Sequence, residues 1–595
     1  MKGPSANGTE LQDLDIFCYY DRQRFTQYGS QDCANWYGIE VPTGKKKYAL
    51  YPAMGRAHVN ALGQNRLIFN AEPVAVFKSI NYFYVVDGTT VYQYDKFYNQ
   101  VTLPISVTLG EAIWAAYLPV DNLVYVMMTD GHNTFLITEG GMTTTAVVVT
   151  DPNRPPNPRY IATFGDRFVV STDKTPNYRL STVNVAGGAS ACFSFGVAPN
   201  QFALFNRATG VIGQFAVLQN QLYILCDYTT DVWANITSSL TVANATRTFP
   251  WKKNSSYNFN FGINDPNSLA VNFGMMVWLA QNEDGLVTFM MSDGQLPKPI
   301  SSQAINVLLQ DSAHSSSMSP FLFTTVDGFL YQYENTIFYR ANAGVYAGLA
   351  DLDVEQNANS IEYNFATQTW ARTIELDGDR NRIEKHVYFN NTHLVTVQGD
   401  RAMYQMAGNI YYNELLNPAQ LDTQAPDAFL KYPMRYELTT KQIYSPEDYA
   451  EFLDEYVEID FVFGDQTFYK STAPFNNTVY IVGETSTPDV PVYIVSEDGA
   501  LLIQEGTNTP QFDDTHYYTL FKPYIELYYS DDGGITFTQA DVREFSPLGA
   551  YRWRMRWYEL GCSRNRCYKL VAVSSAPIVV LGAVRATRRV SGGAN

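Results

Sequence analysis

What most narrows the folds open to this sequence is a unit that recurs from residue 61 onward: a short apolar strand, a turn carrying Asp, Asn or Gly, and a second strand ending in an aromatic. Its instances are NYFYVVDGTTVYQYD from Asn81, NLVYVMMTDGHNTFLIT from Asn122, DRFVVSTDKTPNYRLST from Asp166 and GQFAVLQNQLYILCDYTTDVWAN from Gly213. Further ones are MVWLAQNEDGLVTFMMSDG from Met276, TTVDGFLYQYENTIFYR from Thr324 and HVYFNNTHLVTVQGDRAMYQM from His386. They return roughly every 40 to 60 residues, the period of four-stranded propeller blades. A hairpin of this kind has an open edge and half a core when alone, and stacking such units around an axis removes most of both problems. A β-propeller is therefore expected over residues 61–430. The period drifts and no WD or kelch signature is present, so an array of β-sandwiches is the structural alternative.

The composition agrees with an all-β chain with few short helices. Hydrophobic residues make up 46% and charged residues 17% of the 595 positions, with 43 Tyr and 35 Phe, and Gly 39 and Pro 28 available for turns; aromatic loading of this kind favours sheets. The length suits two to four ordinary domains, or one large all-β domain with a companion. A formal net charge of −18 argues against tight non-specific binding of nucleic acid, although an acidic wall can let DNA pass without sticking. The N-terminus lacks the apolar core of a signal peptide, and no run of about eighteen apolar residues occurs, so a protein made in the cytoplasm and not inserted in a membrane is expected. The six cysteines, at 18, 33, 192, 226, 562 and 567, are too sparse for a disulfide scaffold and lack C-x-x-C spacing. Cys562 and Cys567 can approach across a turn, but free thiols are expected in a reducing compartment.

Three divisions follow. Residues 1–60 read as a segment completing or docking on the propeller, with Lys45 to Lys47 a solvated loop. Residues 61–430 are the propeller. Within it, Ser301 or Ser302 caps a short helix whose Ile305, Leu308 and Leu309 give one apolar side. Residues 431–595, with EYVEIDFVFG, VYIVSEDGALLIQEG and YIELYYSDDGGITFTQ, form a C-terminal β-sandwich. Ser445 and Pro446 read as a helix start there, and 464–516, rich in Thr, Pro, Asn and Asp, as an insertion.

The stretch YRWRMRWYELGCSRNRCYKL from Tyr551 to Leu570 carries the densest charge pattern. As a strand it places Arg552, Arg554 and Arg556 on one face and Tyr551, Trp553, Met555 and Trp557 on the other. The row is either a solvated strand face or, together with Arg564 and Arg566, a subunit contact in which guanidinium forks meet a neighbour's carboxylates or phosphates.

In Trp557, Leu560, Gly561, Ser563, Arg564, Arg566, Tyr568, Leu570, Ser575 and Pro577 this stretch resembles the C-terminal end of the tail hub or nozzle proteins of short-tailed bacteriophages, also called packaged-DNA stabilisation or head-completion proteins. Near the N-terminus Asn35, Tyr51, Pro52 and Gly55 resemble the family's opening, with Met54 intervening. In the middle, Gln214, Phe215, Leu222, Tyr223, Asp231 and Trp233, then FMMSDGQLPKPISSQAINVLLQDS, are similar to its central elements, and IEYNFATQTWAR, with Trp370, reads like the strand-turn-Trp element of many propeller blades. The resemblance covers about two thirds of the chain and leaves 464–516 without a counterpart. It implies a homohexameric ring below the portal and its adaptor protein, in the virion tail. Such a ring closes the head, retains packaged DNA, gives it an exit channel without sequence-specific binding, and docks fibre, spike or needle proteins. The arginine group would then lie at a subunit or adaptor contact.

No enzymatic chemistry, cofactor or metal is expected. The histidines at 58, 132, 314, 386, 393 and 516 form no spaced ligand set, and no nucleophile elbow, P-loop or dinucleotide fingerprint is present. The turn SDDGGITF from Ser530 lacks the distal Glu of an EF-hand loop, and Asp532 and Gly533 read as hairpin geometry. Asp173, Asp227, Asp284 and Asp327 lie near hairpin turns, where a propeller glycosidase places carboxylates, but turn formation is the ordinary role of such aspartates. The alternatives to a hub are a propeller-type polysaccharide-degrading enzyme and a receptor-binding or adhesion tail protein.

Overall fold

A computed structural model gives the fold. It describes residues 9–14, 16–22, 30–41, 48–59, 67–110, 112–120, 122–140, 143–181, 195, 202–204, 210–242, 245–249, 251–254, 259–314, 326–343, 360–416, 429–444, 451–464, 478–479, 494–495, 501–502, 520–521, 523–545 and 552–589. The chain forms two compact units. One comprises Val59–Ser360 and Arg382–Gln405, the other Met1–His58, Ile361–Asn381 and Met406–Asn595. The break at His58/Val59 lies close to the expected boundary at 60, whereas the later one is replaced by an interleaved path, with Ile361–Asn381 and everything from Met406 onward belonging to the other unit. Among the described residues of 1–58, Thr9–Leu14 lies alongside Ile578–Arg589 and Leu50 opposite Val580, while Gly55–His58 pairs with Met403–Ala407 in the sheet order that continues through Thr392–Val397 to Ile383–Phe389.

The first unit is a β-propeller. Five consecutive four-stranded antiparallel sheets begin with the strands Pro73–Lys78, Trp114–Val120, Pro158–Phe164, Ile212–Leu218 and Ala270–Asn272. Two further hairpins begin with Val326–Tyr333 and Ile383–Phe389. Each of these first strands lies against the next, and Ile383–Phe389 lies against Pro73–Lys78, so the ring closes with seven blades. We number the blades 1 to 7 in chain order.

The core sits between blades. Along Leu123–Thr129, Val126 and Met128 join the cluster shared with blade 1, while Tyr125 and Met127 join the one shared with blade 3. Both faces of that strand are covered, which is why LVYVMMT is apolar almost throughout. Both ends of this unit's chain meet in the last blade: Phe69 N–H donates to the Arg401 carbonyl at 2.8 Å and Met403 N–H to the Leu67 carbonyl at 3.0 Å. Gln303–His314 is the expected helix, with Ile305 and Leu309 buried. Its cap is Ser302, whose Oγ accepts from Ile305 N–H, while Ser301 Oγ is turned to Phe289 N–H.

The second unit is a β-sandwich. One sheet orders Trp36–Glu40, Tyr48–Pro52, Ile578–Arg589, Phe452–Phe463 and Arg552–Tyr558. The other includes Phe429–Thr439, Asn565–Ser574, Tyr524–Ser530 and Thr538–Glu544, in which Val571 faces Glu437 on one side and Glu526 on the other. Side chains of both sheets, among them Trp36, Leu50, Ile459, Trp557, Tyr436 and Leu570, share one core. The helix expected from Ser445 falls on residues outside the description, as does most of 464–516. Cys18 and Cys33, read from the sequence as free thiols, are joined as a disulfide that closes 15 residues, whereas Cys562 and Cys567 are free.

Candidate functional site: an arginine-rich sheet face

The strand Arg552–Tyr558 pairs antiparallel with Phe452–Phe463, setting Arg556 opposite Glu458 and Arg554 opposite Asp460. The expected alternation holds for Met555 and Trp557, both buried, and for the three outward arginines; Trp553 is 37% exposed, and Tyr551 lies outside the described residues. Arg552 grips Asp460 with two donors at 3.1 and 2.5 Å. Arg554 reaches Glu458 at 3.2 Å, and Arg556 meets the same carboxylate. The arginine side chains remain 59, 54 and 45% exposed. Their hydrogen bonds to Asp460 and Glu458 hold the Arg552 and Arg556 guanidinium groups even more firmly charged than usual. Arg556 also covers the Tyr456 ring at 5.0 Å, and Tyr456 stands 6.0 Å from exposed Tyr558. The face is thus a ladder of three cations on two carboxylates with an aromatic end. Exposed pairs of this kind add little to stability, so the chemistry they offer is recognition of planar anions and aromatic surfaces.

Arg564 stands apart, 69% exposed and 3.3 Å from Glu451. Arg566 cannot belong to a contact surface, because its side chain is 1% exposed. Between the two arginines the chain bends and restarts as Asn565–Ser574, which turns Arg566 inward. There its Nε and Nη2 donate to Asp531 at 2.7 and 2.8 Å, and its Nη1 to Asp454 at 3.1 Å. Burial works against this cation, yet Asp531, Tyr568 and Asp454 together keep it more firmly charged than a free arginine. Asp454 is fully buried between Arg566, Arg585 and Tyr568. Burial raises its carboxyl above the usual range in spite of those partners. This is an internal brace of three strands.

The turn aspartates serve the blades. Asp87 accepts from Asn70 and Ala71 N–H, both at 2.8 Å, and Asp227 from Val211 N–H at 3.2 Å, each fastening the loop that leads into its own blade. Asp130 does the same through Thr108. Asp173 pairs with Arg159 at 3.5 Å and Asp327 with Lys385 at 2.5 Å, while Asp284 is exposed in its turn. Asp532 accepts from Ser530 Oγ and from the Ile535 and Thr536 N–H groups, which holds its carboxyl far below the usual range. Among the described residues, no three His, Cys, Asp or Glu stand together as metal ligands would.

Sequence reasoning missed the buried polar joints of the sandwich unit. Asn35, left-handed at φ 58°, donates to the Ile374 and Arg435 carbonyls, both at 2.7 Å, and accepts from Ile374 N–H. Arg56, fully buried, holds Glu375 with two donors at 2.6 and 3.1 Å. A Cβ at Gly55 would lie 2.3 Å from the Tyr412 carbonyl, so only glycine fits that approach. Their one visible signal was the ordered spacing of Asn35, Pro52 and Gly55.

No family model matches the sequence, and no curated protein matches it. Solved structures similar in outline include the Pan2 WD40 domain of Neurospora crassa, at 6% identity and TM-score 0.33, covering 56% of this chain and 89% of that one. Hsv2 of Kluyveromyces lactis is similar at 9% identity and TM-score 0.24, covering 58% and 97%. A chain of a nidogen/laminin complex is similar at 10% and 0.25, covering 49% and 93%.

Proposed function

We propose that this protein is a virion component, the hub or nozzle ring of a short phage tail, which closes the filled head and gives DNA its exit path. The observation that carries the reading is the ordered set from Trp557 to Pro577, which resembles the C-terminal end of that family. Here it spans the end of the arginine strand, the Gly561 turn at φ 79° and the Asn565–Ser574 strand. An exposed guanidinium ladder on a chain of net charge −18 supports a contact with an acidic neighbour, and in a cyclic ring that neighbour is a second copy meeting it through a different surface. Of the aspartates weighed for the glycosidase alternative, Asp227 fastens a loop and Asp173 and Asp327 are ion-paired, so none supplies an observation in its favour.

Electron microscopy of particles made without the protein tests the reading. Heads that package DNA, lose it and carry no nozzle are expected; full, tailed particles that fail only to adsorb or to degrade a host glycan would overturn it. Changing Arg552, Arg554 and Arg556 together to Glu should abolish ring assembly while leaving a folded monomer, because all three are exposed. Normal rings from that variant would remove the contact from this face.

A further inference from the structure

The two ends of the propeller differ in what their turns present. Strands alternate in direction within a blade, so the turns joining first to second and third to fourth strands all lie at one end, and the remaining turns at the other. The second-to-third turns carry the loop-fastening aspartates 87, 130 and 227, and that end shows two exposed apolar residues, Leu109 (70%) after blade 1 and Tyr228 (37%) beside Asp227. The opposite end carries apolar tips: Ile80 (55% exposed) and Phe97 (64%) on blade 1, Ile236 (58%) on blade 4, Phe273 (39%) and Leu296 (58%) on blade 5, and Tyr388 (39%) on blade 7. Single exposed apolar residues are ordinary on any surface, so the grouping alone decides nothing.

Backbone strain marks two of these turns, at Phe273 itself and at Tyr98 beside Phe97. Equivalent first-to-second turns use polar residues where φ is positive, namely Gln219 and Asn220, Glu334 and Asn335, and Asn390 and Asn391; blade 5 puts Phe273 there, at φ 51°. Tyr98, in the blade 1 turn, has φ 63°. A bulky aromatic in the left-handed region is unfavourable. In blade 1 the effect is visible: Tyr98 turns in toward Phe83, 6.1 Å between ring centres, and Phe97 is left facing out. Asp95 locks that turn by accepting from Phe97 N–H at 2.7 Å and Asn99 N–H at 2.9 Å.

Lysines flank the tips. Lys96 Nζ lies 5.0 Å over the Phe97 ring, Lys78 Nζ donates to the Tyr388 carbonyl at 2.7 Å, and Lys298 is exposed two residues beyond Leu296. Among the described residues the acids that reach solvent at this end are Asp95, occupied in its turn, Asp293, and the exposed Asp166 and Glu334 of blades 3 and 6, whose described turns carry no apolar tip. Separate convex knobs with cations beside them do not form a groove for a peptide; they fit a deformable apolar layer beneath anionic headgroups. We propose that this end of the propeller docks peripherally on a bilayer containing anionic lipid, inserting Phe97 and Phe273 to interfacial depth. This property is independent of the tail reading.

The test is flotation of the full-length protein with vesicles of phosphatidylcholine alone or mixed with phosphatidylglycerol, comparing wild type with the double variant Phe97→Asn, Phe273→Asn. Wild type should float with the mixed vesicles only, and the double variant should partition at least about tenfold more weakly. Lys96→Glu should weaken it about fivefold. Because Phe97 is 64% exposed and Asn accepts the left-handed backbone of position 273, the double variant should melt no lower than wild type, which separates lost docking from lost folding. Wild type that fails to float, floats equally on neutral vesicles, or floats no better than the double variant would overturn the proposal.

Discussion

Asp265 is the residue at which a single side chain most directly couples solution conditions to the fold. It fastens blade 5 to blade 6, accepting from Asn267 N–H at 2.8 Å and from Val326 N–H, the first residue of the blade 6 strand, at 2.7 Å. Burial raises its carboxyl to about 6, with Asp327 adding to the rise and the two N–H donors and Lys385 opposing it. The sign follows from proton binding. Below about pH 4 the group is protonated in both folded and unfolded chains; between about 4 and 6 only the folded chain keeps the proton, so stability falls as pH rises through that window. Above 6 the full cost of about 3 kcal/mol stands. Asp265→Asn removes the titration, and its stability relative to wild type, followed by thermal melting from pH 4 to 7, should therefore rise across that interval. A constant difference would show that the buried carboxyl is not what titrates. Asp130 has the opposite sign: burial raises its carboxyl, but the Asn133, Thr108 and His132 N–H groups and the Thr108 hydroxyl outweigh this and lower it. Its contribution is present above the unfolded value and lost in acid.

At the scale of elements, the sequence was legible where a pattern is local and opaque where a partner is distant. The period-two alternation of Arg552 to Tyr558 placed Met555 and Trp557 inward because a strand covered on one face needs no more information than that. It misplaced Arg566, which shares the parity of Arg564, because the bend between them restarts the alternation, and nothing in SRNRC announces which way the second strand will face. The turn role of the aspartates was readable from composition, whereas their targets, such as Asn70 for Asp87, 17 residues away, depend on blade geometry. The Cys18–Cys33 pairing was invisible for a related reason: two cysteines 15 residues apart carry no spacing signature until Trp36 and its strand bring that segment into the core. Closing a loop of this length restricts the unfolded chain by about 3 kcal/mol. Reduction, or Cys18→Ala with Cys33→Ala, should lower the stability of the sandwich unit by about that amount, read from denaturant midpoints with and without reductant. Equal midpoints, with both thiols titrating in the untreated protein, would mean the bond does not form in solution.

Over the whole molecule, chain order and spatial order part company. The hairpin repeat announced a propeller, but not that blade 7 is closed by chain from both ends of its unit. Val59, Leu67 and Phe69 pack in one cluster with Phe83 and Tyr94 of blade 1 and with Val387, Phe389, Leu394 and Met403 of blade 7. Contacts spanning more than 300 residues form late, because loop closure precedes any gain from them. Until they form, blades 1 and 7 expose the edges and apolar faces that the closed ring covers. Phe69, 4% exposed, is the natural place to test this. Phe69→Ala should cost about 3 to 5 kcal/mol, as for other buried aromatic truncations, and the consequence should not stay local. Hydrogen exchange is expected to quicken first in the strands Pro73–Lys78 and Ile383–Phe389, the two flanks of the closure, with blades 3 and 4 following only in the global transition. An equal cost from Val170→Thr in blade 3, with the same order of exchange, would mean that closure is no weaker than any other blade interface. Exchange that quickens uniformly in the Phe69 variant would mean that the ring opens as one cooperative body.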